Sequence, residues 1–337
     1  MNVQRESIAR KGELSCGWLS TIAPGWAFCL MLLLAGCATP QVAQLRQSSA
    51  PGLQQDIAQT VLLKNVPFYP QEDYQCGPAA LYMAAKAAGA QPDPQALIAQ
   101  VYTPGRQGSL QVEMLVATRR QGLLAYPLAP RVDALLREVA AGNPVVVLQN
   151  LSFSFAPVWH YAVVVGYDLP SNTIVLHSGR TESMPMSLFT FERTWARGNY
   201  WAMLALAPTR LPATAEADTY SSAAAALERI NPVLAQTAYA SALAAWPTQR
   251  MALLGAGNTA YALGQLDAAV QAYQKTTSLH ADFADAWNNL AQALLDTKQL
   301  PEASHAISRA IQLGGARLAM YQDLQRSIEA NLTAKNR

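Results

Sequence analysis

The stretch Gln71-Glu72-Asp73-Tyr74-Gln75-Cys76-Gly77-Pro78-Ala79-Ala80-Leu81 decides how the chain is read. Pro78 suits the first turn of a helix, where its missing N–H is no loss. Leu81, Ala84, Ala85 and Ala88 then follow the i, i+3, i+4, i+7 spacing of a buried face, and Gly89 offers a stop. Cys76 therefore falls at a helix N-terminus. Unpaired N–H groups and the helix dipole favour a thiolate there, which predicts a lowered pKa and a nucleophilic sulfur. A purely structural cysteine needs no such place.

Downstream, three more helices are expected. One begins at Asp93-Pro94 and another runs from Ser109 to about Gln121. The third carries Val132, Leu135, Leu136 and Val139 on one face and ends at Gly142-Asn143-Pro144. The pattern then changes to short β-branched runs over 145–148, 161–167, 173–176 and 201–206. Turn residues between Asp168 and Asn172 make the second and third runs an antiparallel hairpin. Helices first and strands afterwards indicate an α+β domain, the helical part supplying Cys76 and the sheet supplying its partner. His160, at the head of the second run, is that partner, because Cys with His is the minimal nucleophile–base pair for acyl transfer. His280 and His305 lie in the helical C-terminal region, with no cysteine near them in sequence.

Further out, the length of 337 residues suits two modest domains and a targeting segment. Hydrophobic residues make up 51% and charged residues 14%, which excludes a mostly disordered chain. A net charge of +2 without a long Lys/Arg run gives no reason to expect nucleic acid as a partner. The cysteines at 16, 29, 37 and 76 fit no zinc or disulfide spacing, and no metal or organic cofactor is implied.

Arg5, Arg10 and Lys11 precede an apolar run over 26–34, shorter than the ~20 residues of a spanning helix and typical of a secretory signal. The run ends in Leu34-Ala35-Gly36-Cys37, which resembles the lipobox of bacterial lipoproteins. That resemblance implies removal of residues 1–36, a diacylglycerol on the Cys37 thiol, and Cys76 as the one remaining thiol. Ala38, rather than Asp, is similar to lipoproteins sent to the outer membrane, so a lipid-anchored, periplasm-facing protein is expected. Residues 37–60, rich in Gln, Ser and Ala, read as a tether.

The Cys-Gly-Pro-Ala core, Gly-Asn-Pro before a valine run, and His160-Tyr161-Ala162-Val163-Val164-Val165-Gly166-Tyr167 together resemble the papain-type cysteine peptidases. Among these they are most similar to the bacteriocin-processing group that trims double-glycine leaders. The resemblance covers about residues 61–208, including Phe191, Trp195 and Trp201 before the last strand. It implies Cys76 as nucleophile and His160 as the base that later protonates the leaving amine. Gln71 would donate into the oxyanion hole with the Cys76 N–H, Gln75 being the alternative donor. The family places Asp or Asn at the end of the strand after the histidine, whereas this sequence reads Ile174-Val175-Leu176-His177-Ser178-Gly179. His177 then takes the orienting position, as in the Cys-His-His sites of NlpC-type cell-wall peptidases. A neutral imidazole can set the tautomer of His160 but lacks the charge that stabilises an imidazolium, so weaker catalysis is expected. Asp168 is too far along the strand to substitute, at roughly 26 Å from His160.

After a polar linker at 209–218, residues 219–332 are Ala-rich and repeat with a period of 34. The shift superposes Leu253 on Trp287, Gly257 on Ala291, Leu266 on Leu300, Ala269 on Ala303, Tyr273 on Ile307 and Leu279 on Leu313. This looks like the tetratricopeptide repeat, with a worn first copy at Ala235, Tyr239 and Ala242. Trp287, Tyr261 and Tyr273 read as packing residues, and the repeat groove as a dock for a peptide or protein partner. The resulting reading is a lipid-anchored envelope cysteine peptidase. Its rivals are an inactive papain-like scaffold for an envelope assembly and a Cys-His-His cell-wall amidase.

Overall fold

The computed structural model describes residues 39–47 and 57–335. The expected signal segment 1–36 and the acylation site Cys37 lie outside the described residues.

Segment 71–81 leads into the helix the sequence predicts, α2 (Cys76–Ala87), preceded by α1 (Pro40–Gln47) and the short strand β1 (Thr60–Leu62). Gly89, at φ +92°, ends α2 as anticipated. Helix α3 (Pro94–Val101) starts where expected, with the Asp93 carboxylate accepting from the Gln95 and Ala96 N–H groups. Then come α4 (Gln111–Arg120), β2 (Leu124–Pro127), α5 (Val132–Ala140) and β3 (Val145–Asn150). The hairpin β4 (Trp159–Asp168) and β5 (Thr173–Ser178) follows, then β6 (Thr181–Ser187), α6 (Leu188–Ala196) and β7 (Ala202–Leu206). All pairings are antiparallel in the order β2-β7-β3-β4-β5-β6, with β1 paired to the far end of β4.

The sheet is buried on both faces, which accounts for the unbroken valine run at its centre. Val146, Val163 and Val165 pack with Leu81, Met83 and Met114 of the α2–α4 layer. Val145, Val147, Ala162 and Val164 pack on the other side with Leu135, Leu136 and Val139 of α5 and Phe191 and Trp195 of α6. Gly166 is required where β1 crosses β4, since a Cβ there would lie 2.5 Å from the Val61 carbonyl oxygen.

Two expectations about connecting segments need correction. The stretch read as a tether contains α1, and α1 is docked. The buried Glu192 carboxylate accepts the N–H groups of Gln41 (3.0 Å) and Val42 (2.8 Å), satisfying free donors of the helix N-terminus, and Val42 is fully buried. The polar stretch 209–218 is likewise no loose linker. Buried Glu138 accepts from the Thr214 N–H and hydroxyl (both 2.6 Å), the Ala213 N–H (3.2 Å) and the Asn143 side-chain amide (2.7 Å).

Beyond it stand seven helices: α7 (Ala217–Glu228), α8 (Pro232–Ala245), α9 (Arg250–Ala262), α10 (Leu266–Leu279), α11 (Ala284–Asp296), α12 (Leu300–Leu313) and α13 (Leu318–Lys335). The starts of α9 and α11, at 250 and 284, and of α10 and α12, at 266 and 300, differ by the 34 residues seen in the sequence. Gly257 is small because the Tyr273 ring lies on it, 2.3 Å from where a Cβ would sit. Leu253, Ala269, Ala291, Ala303 and Ile307 are buried at the interhelix contacts, whereas Leu279 is exposed. Tyr220, Ala223 and Leu227 of α7 share one hydrophobic core with Tyr126 of β2 and the α5 face. The repeats are therefore fused to the sheet domain.

Glu138→Ala leaves four donors without their acceptor. It should lower unfolding free energy by about 3 kcal/mol in urea titration and expose residues 209–216 to limited proteolysis.

Candidate active site

Cys76 opens α2 and is 9% exposed. Its neighbour Gly77 explains why the turn can sit so deep, because a Cβ on Gly77 would lie 2.3 Å from the Ser109 hydroxyl oxygen. Three backbone N–H groups approach the sulfur, those of Tyr161, Gly77 and Cys76 itself, and each favours the thiolate. Burial opposes them and is the larger effect, so the thiol pKa is raised. This corrects the sequence expectation. A helix N-terminus lowers a cysteine pKa where the sulfur is hydrated, and here desolvation of the anion wins.

His160 lies at the head of β4, one residue before the Tyr161 whose amide meets the sulfur. Burial lowers its pKa to about 4, so the imidazole is neutral at pH 7. Its Nε2 is 2.9 Å from the Ser178 hydroxyl. Among the described residues no hydrogen bond joins Cys76 to His160. The two are brought to the same end of β4 as a neutral thiol and a neutral imidazole, not as an ion pair.

His177 does not orient His160. Its Nε2 donates to the Val66 carbonyl (3.2 Å), its Nδ1 accepts from the Ser183 N–H (3.2 Å), and it is almost fully buried with its ring edge-on to Phe68. The cause is strand parity. His177 pairs with Val163 in the β4–β5 register, and His160 stands three residues from Val163, on the opposite face of the strand. Ser178, the next residue along, shares the face of His160. Sequence reasoning passed over Ser178, although it stands in the quoted Leu176-His177-Ser178-Gly179 run.

The loop before Cys76 is fastened to the β5–β6 turn. The Gln71 N–H donates to the Gly179 carbonyl (3.2 Å), Gly179 takes the positive φ of +64° that the turn needs, and exposed Arg180 pairs with Asp73 at 3.6 Å. Gln71 is thus held beside Ser178. Gln71 and Gln75 both line a small cleft with Tyr69, Pro78, Tyr82 and Ile98, between α2 and α3. Asp168 binds Thr60 and Ser171 at the far end of β4, away from the site as anticipated.

In the repeats, a concave groove is lined by Glu228, Asn258, Tyr261, Tyr273, Asn289 and Gln292. Two tyrosines expected to serve packing therefore face the groove as well. The Tyr261 hydroxyl donates to Asp296 (2.5 Å) and that of Tyr273 to the Asn258 side-chain carbonyl (3.0 Å). Trp287 does pack, edge-on to His305.

Residues 63–202 match the Peptidase_C39 like family, and residues 257–298 match the TPR repeat. No curated protein matches the chain. A C39-like peptidase from Bacillus anthracis is similar at 19% identity, covering 44% of this chain and 98% of its own, with a TM-score of 0.37. The Sgt2 TPR domain of Aspergillus fumigatus is 23% identical over 36% of this chain and 83% of its own, with a TM-score of 0.34. The Yersinia enterocolitica type III secretion chaperone SycD, in complex with a peptide of the translocator YopD, is 17% identical over 34% and 92%, with a TM-score of 0.32. The architecture is a papain-like C39 domain followed by a helical tetratricopeptide-repeat region.

Both shifts have measurable signs. The imidazole resonance of His160 should titrate at about 4, and Ser178→Asp should move it upward by placing a carboxylate on Nε2. Between pH 6.5 and about 4 the folded chain binds fewer protons at His160 than the unfolded one, so stability should fall as pH drops through that window, less so in His160→Gln. Alkylation of Cys76 by iodoacetamide should climb through pH 9 without the neutral-pH plateau of a preformed thiolate.

Proposed function

We propose that the chain is a cysteine peptidase in which Cys76 attacks a scissile carbonyl as His160 takes its proton. The observation that carries this reading is the sulfur at the first turn of α2, facing the amide of Tyr161, with a neutral imidazole at the adjacent residue. A neutral imidazole is the form that can accept a proton. With Nε2 engaged by Ser178, Nδ1 is the nitrogen left for the thiol, and Ser178 acts as the positioning residue. Contacts of this kind often tighten only when substrate fills the site. The proton then passes to the leaving amine, and water hydrolyses the acyl-enzyme.

The Cys76 N–H and the side-chain amide of Gln71 would stabilise the oxyanion. The bond from the Gln71 backbone to Gly179, beside Ser178, supports Gln71 over Gln75. Engagement of both His177 nitrogens elsewhere supports the peptidase reading over a Cys-His-His amidase. A binding scaffold is the second reading, favoured by the raised thiol pKa and the hydroxyl standing where a carboxylate is usual.

Covalent capture with an electrophilic peptide probe, read by mass spectrometry, separates the two. The peptidase reading expects modification at Cys76, lost in Cys76→Ala and strongly slowed in His160→Ala. A scaffold leaves Cys76 unmodified, and its cellular phenotype survives Cys76→Ala. Gln71→Ala should lower kcat about 100-fold or more, and Gln75→Ala far less.

The lipid anchor on Cys37 belongs to the same reading. Cys37→Ala should move the protein from the outer-membrane fraction to the soluble periplasm. The repeat groove, lined by amides, tyrosines, the Glu228 carboxylate and the apolar Met320 and Leu324, would dock a protein substrate or partner.

A further inference from the structure

The connection between β3 and β4, with the first residue of β4, reads Leu151-Ser152-Phe153-Ser154-Phe155-Ala156-Pro157-Val158-Trp159 and contains no charged residue. Five of its nine side chains are large, apolar and exposed, among them Phe155 at 87% and Trp159 at 53%. Single exposed apolar residues are ordinary, whereas a cluster of this kind on one short loop marks a binding surface.

The loop is not slack. Asn150 braces it from within, its side-chain carbonyl accepting the N–H groups of Ser152 (3.0 Å) and Val158 (2.9 Å). The Leu151 N–H donates to the Val158 carbonyl, and the Arg197 guanidinium holds the Ser152 carbonyl at 2.7 Å. The rings of Phe153 and Phe155 stack at 5.3 Å with only 9° between their planes. Aromatic surface is thus presented in a fixed geometry, which reduces the ordering entropy a partner must overcome.

Its position names the occupant. Trp159 is followed directly by His160, so the loop flanks the proposed catalytic base. A second exposed apolar pair, Leu110 and Val112, follows Ser109, whose carbonyl accepts the Tyr161 hydroxyl and whose side chain abuts Gly77. Tyr74, also exposed, stands two residues before Cys76. Apolar side chains therefore come from three segments of the chain, each adjoining a different part of the candidate site.

Resting on the peptidase reading, we infer that the 151–159 loop is a specificity surface for peptide substrates with bulky apolar side chains next to the scissile bond. The phenylalanine pair and Trp159 supply one lip and Leu110 with Val112 the other. Burial of a substrate Phe, Leu or Met side chain between them would hold the carbonyl over Cys76.

The test is cleavage profiling of a synthetic peptide mixture by mass spectrometry. It uses the full chain, the double variant Phe153→Ser/Phe155→Ser, the opposite-lip variant Leu110→Ser/Val112→Ser, and Val233→Ser as an exposed control on α8. Wild type should cut preferentially within two residues of Phe, Leu, Met, Tyr or Trp. Each lip variant, with an unchanged melting temperature, should lower kcat/KM for those peptides about tenfold, mainly through KM, and leave peptides with small polar residues there unaffected. The Val233→Ser profile should match wild type.

Cleavage that depends on Cys76 but shows the same preference in both lip variants overturns the inference and leaves the peptidase reading standing. So does a defect confined to binding of phosphatidylethanolamine–phosphatidylglycerol vesicles, which would assign the loop to the membrane. No cleavage and no labelling of Cys76 by any electrophile would instead defeat the peptidase reading itself.

Discussion

Burial of the first turn of α2 against the head of β4 is the contact on which the proposed chemistry depends. It requires a residue without a Cβ at 77, because the Ser109 side chain fills the space where one would stand. It brings the Tyr161 amide to the sulfur, at the end of β4 where His160 also stands. The same burial fixes the protonation states. Removing water raises the thiol and lowers the imidazole, so the resting pair is uncharged on both members. The group bonded to Nε2 is a serine hydroxyl, which brings no charge to stabilise an imidazolium.

The second organising feature is continuity between the two halves. Glu138 on α5 gathers the connecting segment, and the Tyr126 hydroxyl accepts the Glu216 N–H at 3.1 Å. The rings of Tyr126 and Tyr220 then meet across the junction at 6.5 Å between centroids. Two regions that the composition separates cleanly are joined by buried polar and aromatic contacts.

Much of this was legible in the sequence because the signals are local. Helix starts at Cys76 and Asp93, the buried face of α5, the β4–β5 hairpin and the 34-residue period follow from side-chain spacing and turn residues within a few positions. The strands β2 and β6 were missed for reasons equally local. β2 has four residues, and β6, at the edge of the sheet, reads Thr-Glu-Ser-Met-Pro-Met-Ser, with a proline that only an edge tolerates. The docking of α1 rests on Glu192, some 150 residues away in the chain, and nothing near Gln41 announces it.

The choice between His177 and Ser178 shows where local reading stops. Both residues stand at the end of β5, and histidine has the chemistry that attracts attention. Which of them faces His160 is set by the cross-strand register, and a shift of one residue would exchange their faces. That register carries an irregularity at Val164–Gly166, where β1 crosses close over the glycine and the count between strands changes by one. The steric demand of β1 at one end of β4 is thus linked, through the pairing of β4 with β5, to the residue that meets the imidazole at the other. A site whose pieces look modular in sequence is coupled by the sheet that carries them.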